Sequence, residues 1–235
     1  MCILQSPEPA IAEPHIPSVR SAYAAYYHPW LEVESIERDE VTVIPPGGHI
    51  CGVYARAEAE MVPQPAPLQF AILGARGVSQ PIGASTAELL VDRGINVLRA
   101  LPGKGVLVTS ARTTSEDAEW RHVAVRRLVI FIEQSLQYGL QWAVFEPNGP
   151  SLWASVRAAV ESFLFSLWRS SRLVGTRPED AFFVRCDRST MSQADIDAGQ
   201  VIVLIGVAPL RPAEFVMLRL RIGLGNSASF PAALG

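Results

Sequence analysis

Cysteine is scarce: Cys2, Cys51 and Cys186 are the only three in 235 residues. An odd number at such wide spacing builds neither a disulfide framework nor a CxxC or Cys/His zinc pattern. The set suits a reducing compartment, with Cys51 and Cys186 read as small buried hydrophobes. Histidine is equally sparse. His15, His28, His49 and His122 stand at no metal-ligand spacing from one another or from a cysteine. No GxSxG string marks a serine nucleophile. Gly103-Lys104-Gly105 lacks the earlier glycine and the following Ser or Thr of a phosphate loop. Charge of one sign is missing too, since 20 basic and 23 acidic side chains leave a net −3. That gives no field for nucleic acid or an anionic membrane. Met1 to Pro17 has prolines where a signal peptide has a basic start and an apolar run. The longest apolar helical stretch, Val156 to Trp168, is interrupted by Arg157 and Glu161 and is too short to cross a bilayer. The expectations are therefore no metal, no cofactor, no nucleic acid and no membrane, with synthesis and folding in the cytoplasm.

What is present is apolar side chain, 49% of the total against 18% charged. That is enough for a sizeable core without staples. Residues 1–20, with Pro7, Pro9, Pro14 and Pro17, predict a disordered or extended arm. Ser21 to Tyr27 predicts a short helix, and Trp30 to Val33 and Val41 to Ile44 predict strands. A helix follows over His49 to Glu60, then a loop over Met61 to Pro67. Phe70 to Leu73 reads as a strand and Gly74 to Gly83 as loose chain. Ser85 to Arg93 reads as a helix closed by Gly94. Ile95 to Ala100 and Val106 to Thr109 read as a hairpin around Pro102 to Gly105.

Thr114 or Ser115 then caps a long helix with Glu116, Asp117 and Glu119 in its first turn, ending at Gly139. Trp142 to Phe145 predicts a strand, with Asn148 as helix cap. Pro150 opens a second long helix that buries Trp153, Val156, Val160, Phe163, Leu164, Leu167 and Trp168. Ala181 to Asp187 and Val201 to Val207 read as strands flanking a polar turn or short helix at Ser192 to Ala198. Glu214 to Ile222 alternates as a last strand. The fold class is mixed α/β: a mixed sheet packed by two long helices. The expected organisation is an arm over 1–20, one domain over 21–222 and a flexible tail over 223–235.

Chemistry has one thin candidate, a thiol or hydrolase-type enzyme using Cys186 and Asp187 at a strand end, with no histidine near in sequence. Arg121, Arg126 and Arg127 give the first long helix a basic stripe, which is either a solvated face or a docking surface. The final strand either pairs at home or adds to another chain's sheet edge.

Several strings, in order, resemble the C-terminal region of contractile tail-sheath proteins. They include Tyr27-His28-Pro29-Trp30-Leu31, Pro45-Pro46-Gly47-Gly48-His49-Ile50-Cys51-Gly52-Val53-Tyr54, Gly94-Ile95-Asn96-Val97-Leu98-Arg99 and Gln141-Trp142-Ala143-Val144-Phe145-Glu146-Pro147-Asn148. Ala181-Phe182-Phe183-Val184-Arg185-Cys186-Asp187 and Gly206-Val207-Ala208-Pro209 continue the series. The resemblance runs over roughly residues 22–222. It implies a structural, non-enzymatic subunit that polymerises with itself in stacked rings around an inner tail-tube protein. Baseplate components or other sheath paralogues are further implied partners. The particle would assemble in a bacterial cytoplasm and end as a virion tail or an extracellular contractile particle.

The implied inter-subunit strand is Ala213, Glu214, Phe215, Val216, Met217, Leu218, Arg219, Leu220 and Arg221. The implied tube contact is Arg121, Arg126 and Arg127. Family members usually carry a longer N-terminal portion, so a short or truncated form is expected.

Overall fold

The computed structural model describes residues 1–7, 17–35, 40–59, 68, 70–209 and 215–224. The chain gathers into two compact units, Met1–Arg127 and Leu128–Gly235, where one domain was expected.

The first unit is built on a four-stranded sheet in the order β1-β2-β6-β7. Its strands are β1 (Cys2–Gln5), β2 (Ala24–His28), β6 (Ile95–Leu101) and β7 (Gly105–Val108). β1 and β6 flank β2 in parallel, and β6 turns into β7 as the expected antiparallel hairpin. Gly103 and Gly105 make that turn at φ +72° and +75°, which side chains with a Cβ rarely adopt.

Alternation along the strands splits the core. Ala25, Tyr27 and Leu98 face one way, towards α1 (Gly47–Ala59). Tyr26, Ile95 and Val97 face the other way, towards Ala87 and Leu90 of α2 (Ala84–Asp92). A second sheet of β4 (Val41–Ile44), β3 (Leu31–Glu34) and β5 (Ala75–Val78) joins the α1 side.

Three expectations fail in this unit. The helix expected over Ser21 to Tyr27 is strand β2, because the segment is buried on both faces between two neighbours and packing overrides local propensity. Of the arm expected over 1–20 as disordered or extended, Cys2–Gln5 is the extended strand β1. The loose stretch after Gly74 contains β5, while the strand expected at Phe70 to Leu73 is a single bridge at Ala71. The loop expected at Met61 to Pro67 lies outside the described residues.

The first long helix, α3, spans Val123–Gly139 and not 115–139. Residues 109–122 fold back on themselves instead. Buried Asn96 exchanges two hydrogen bonds with the Arg112 backbone, at 2.6 and 2.7 Å. The Thr113 amide donates to Arg121 O at 2.8 Å, and its hydroxyl donates to Trp120 O at 2.8 Å. Ser115 and Asp117 do accept backbone N–H groups, but in local turns two residues long.

The second unit packs α4 (Pro150–Arg169) against a three-stranded antiparallel sheet in the order β10-β9-β8. The strands are β8 (Phe182–Arg185), β9 (Gln200–Val207) and β10 (Val216–Gly223), with short helices α5 (Pro178–Ala181) and α6 (Gln193–Asp197) beside them. α4 buries Leu152, Trp153, Val156, Val160, Leu164 and Leu167 in a stripe of 3.6-residue period, while Phe163 and Trp168, expected in the same stripe, are only half-buried. Each such side chain stabilises the unit by about 1.5–3 kcal/mol. Gln141–Phe145 is a 3-10 helix and not a strand.

Asn148 is not the cap of α4, whose N-cap is Gly149. It is a buckle, donating to Ile196 O at 3.2 Å and accepting from Trp153 Nε1 at 2.8 Å. Of the tail expected over 223–235, Gly223 still belongs to β10, and residues 225–235 lie outside the described residues.

Candidate functional site

The alternating sequence of β10 turns Val216, Leu218, Leu220 and Ile222 into the core and leaves Met217 and Arg219 exposed. β10 pairs antiparallel with β9 from Val216↔Val207 to Gly223↔Gln200. Among the described strands its other side is an edge. Beyond β10, the Leu224 amide donates to Gly199 O at 2.7 Å. Phe215 stacks on Phe183 with centroids 5.8 Å apart. Ala213 and Glu214 lie outside the described residues. An edge strand can leave its own sheet for an identical one with little loss of contact.

The basic stripe does not exist as expected. Arg121 is exposed but precedes α3. Arg126 is 2% exposed, its guanidinium over the rings of Trp120 and Tyr23. Arg127 is paired with Glu58 at 2.7 Å and lies over the Tyr54 ring. Helical phase explains the correction: Arg126 and Arg127 fall beside Val123 and Val125 on a helix start that is buried nearly all round. Two of the three cations are therefore committed inside the first unit.

The thiol alternative fails on its own geometry. Cys186 is 3% exposed, and burial pushes its thiol up to about 12, with the Asp187 charge adding to the effect. The thiolate that a nucleophile needs is absent near neutral pH. Asp187 is spent locally: its carboxylate accepts from the Ser189 amide at 2.7 Å, and the Ser189 hydroxyl holds its pKa below the ordinary carboxylate value. Among the described residues no histidine hydrogen-bonds to Cys186. Nor do three His, Cys, Asp or Glu side chains converge as metal ligands among them.

Sequence reasoning missed an aromatic ridge. Tyr138, Trp142 and Phe145 are 75%, 41% and 90% exposed along the end of α3 and the 3-10 helix. No local period carried it, because Tyr138 lies on α3, which ends at Gly139, while Trp142 and Phe145 lie on the separate 3-10 helix.

Comparison with known proteins places this architecture. Residues 115–223 match the phage tail sheath C-terminal domain family. A chain in the six-fold symmetrised cryo-EM structure of the anti-feeding prophage baseplate is 34% identical over 92% of this chain, with TM-score 0.79. A chain of the PVC sheath complex, an extracellular contractile injection system in its contracted state, is 34% identical over 92%, with TM-score 0.77. A chain of the contracted anti-feeding prophage helical sheath gives 34% over 92% and TM-score 0.78. This chain spans 58%, 62% and 59% of the length of those three relatives. No curated protein matches the sequence.

Proposed function

For a chain that belongs to the contractile tail sheath family through its residues 115–223, we propose a structural role as a sheath subunit that polymerises with its own copies around an inner tube. The observation that carries this reading is the 34% identity over 92% of the chain to a contracted helical sheath. The described surface adds no reactive constellation that would favour catalysis.

Exchange of β10 between subunits supplies the linkage. Eight register pairs join β10 to β9 within one chain. The same pairs form between two chains when the strand is donated, so exchange costs little contact energy. Donation covers Phe215 to Arg221 and extends to Ala213 and Glu214. Arg121 is the remaining candidate for tube contact, and baseplate components and sheath paralogues are the remaining partners. Assembly takes place in the bacterial cytoplasm and the product acts in an extracellular particle or phage tail.

The test is electron microscopy of the chain co-expressed with its tube protein. Tubes wrapped in regular density are expected. Deleting Glu214 to Gly235 removes the wrapping and leaves the first unit folded. Bare tubes beside a strictly monomeric full chain would overturn the role, and wrapping that survives the deletion would overturn strand exchange.

A further inference from the structure

Among the described residues, the second unit carries two surfaces that no other segment covers, towards opposite ends of its longest helix. At the N-terminal end of α4 stand Tyr138, Trp142 and Phe145, followed by Glu146, all exposed. Phe145 is the most exposed large hydrophobe in the described chain at 90%, yet it is not on a loose loop. It closes a 3-10 helix anchored by fully buried Ala143, with the Glu146 amide donating to Ala143 O at 3.2 Å. Rigid, exposed aromatics of this kind form the energetic centres of interfaces.

At the other end of α4 lies a cavity of about 580 Å³ between Phe165, Trp168, Leu173 and Val174, with Arg169 beside them. It is preformed. Trp168 Nε1 donates to Gly175 O at 2.9 Å, and the Val174 amide donates to Ala208 O at 2.9 Å. Gly175 has no room for a side chain, since a Cβ there would meet Ala181 N at 2.8 Å.

The charges complement each other. Glu146 on the ridge and Arg169 on the cavity rim are both exposed, and neither makes an ion pair among the described residues. Glu146 precedes α4 and Arg169 ends it, and the 20 residues of that helix span about 30 Å. The two side chains therefore cannot satisfy each other within one unit.

We propose that the Phe145 ridge of one copy docks into the Phe165–Val174 cavity of the next, with Glu146 paired to Arg169 across the contact. Ridge and cavity are different surfaces, so the contact is heterologous. It propagates into a ring or a helix and does not stop at a dimer. This rests on the self-assembling reading above and adds a second contact, independent of strand exchange.

The test is sedimentation of the full chain over a range of concentrations, with thermal melts as a check on folding. Phe145→Ala should weaken association about thirtyfold, the loss expected for an interface centre, without lowering the melting temperature. Val174→Asp in the cavity should act alike. Glu146→Arg and Arg169→Glu should each weaken association, and the double variant should restore it. That restoration also guards against a misfolded single variant.

If the unaltered chain associates and all four substitutions leave it unchanged, the contact is wrong while self-assembly stands. The contact is equally wrong if Phe145→Ala impairs only capture of a different protein. If the unaltered chain stays monomeric throughout, both readings fall.

Discussion

The guanidinium carbon of Arg126 lies 3.8 Å from the centroid of the Trp120 ring and 4.1 Å from that of Tyr23. A cation held against two aromatic faces away from water gains more than one at an exposed site. Arg126 thus ties the start of α3 to the strand-end region around Tyr23. Arg126→Ala should lower the unfolding free energy by about 3 kcal/mol, from the lost packing together with the lost ring contacts. Arg126→Lys should cost more than about 1 kcal/mol, because a compact ammonium does not stack as a planar guanidinium does. Urea denaturation followed by tryptophan fluorescence reads both. A loss below about 0.5 kcal/mol for Arg126→Ala would return this residue to the surface role that the sequence suggested.

Cys186 separates from the other two thiols by environment. Cys2 and Cys51 are exposed, Cys51 against its reading as a small buried hydrophobe, and Cys186 is buried. With its thiol held up to about 12, Cys186 is almost wholly protonated at pH 8. A thiol reagent should therefore titrate two groups in the folded chain and all three in denaturant. The raised pKa also fixes a sign. The folded form holds the proton more tightly than the unfolded form, whose thiol titrates near 9.0. Stability from this group is complete below that value and is lost as pH rises towards about 12. Cys186→Ala should flatten that alkaline loss. Rapid labelling of all three thiols in the native chain would show Cys186 to be accessible.

Much of this fold was legible because single features dominate locally. Gly94 at φ +81° ends α2 as expected, and Gly139 ends α3. The alternation of Val216 to Ile222 gave β10 its inward and outward faces. The failures share a physical cause. Ala24 to His28 mixes helix-favouring alanine with strand-favouring tyrosine, and the flanking β1 and β6 decide it as a strand. Thr114 and Ser115 look like helix caps, but Thr114 instead exchanges hydrogen bonds with Ser21, 93 residues away in sequence. The candidate site divides in the same way. A strand with one buried face announces itself by period two, but its place at the sheet edge does not. Whether an arginine on a helix faces solvent or an aromatic pair depends on distant Tyr23, which no local pattern reports.

Gly206 in β9 faces Phe183 across the β8 pairing, and the phenyl ring lies over it. A Cβ built at Gly206 would fall 2.7 Å from two atoms of that ring and closer still to a third. Glycine is therefore required here by the ring and not by backbone conformation. Gly206→Ala alone should destabilise by about 1 kcal/mol, since the ring must be pushed from its place beside Phe215. In a Phe183→Ala background the three ring atoms nearest that Cβ are gone. Gly206→Ala should then stabilise by about 0.5 kcal/mol, the ordinary gain of alanine over glycine within a strand. The coupling between the two sites, about 1.5 kcal/mol, is large enough for a double-mutant cycle in urea. An equal effect of Gly206→Ala in both backgrounds would mean that Phe183 does not cover this strand. Because Gly206 also pairs with Met217 of β10, the cycle measures how firmly the outer face of the sheet is set when its terminal strand is in place.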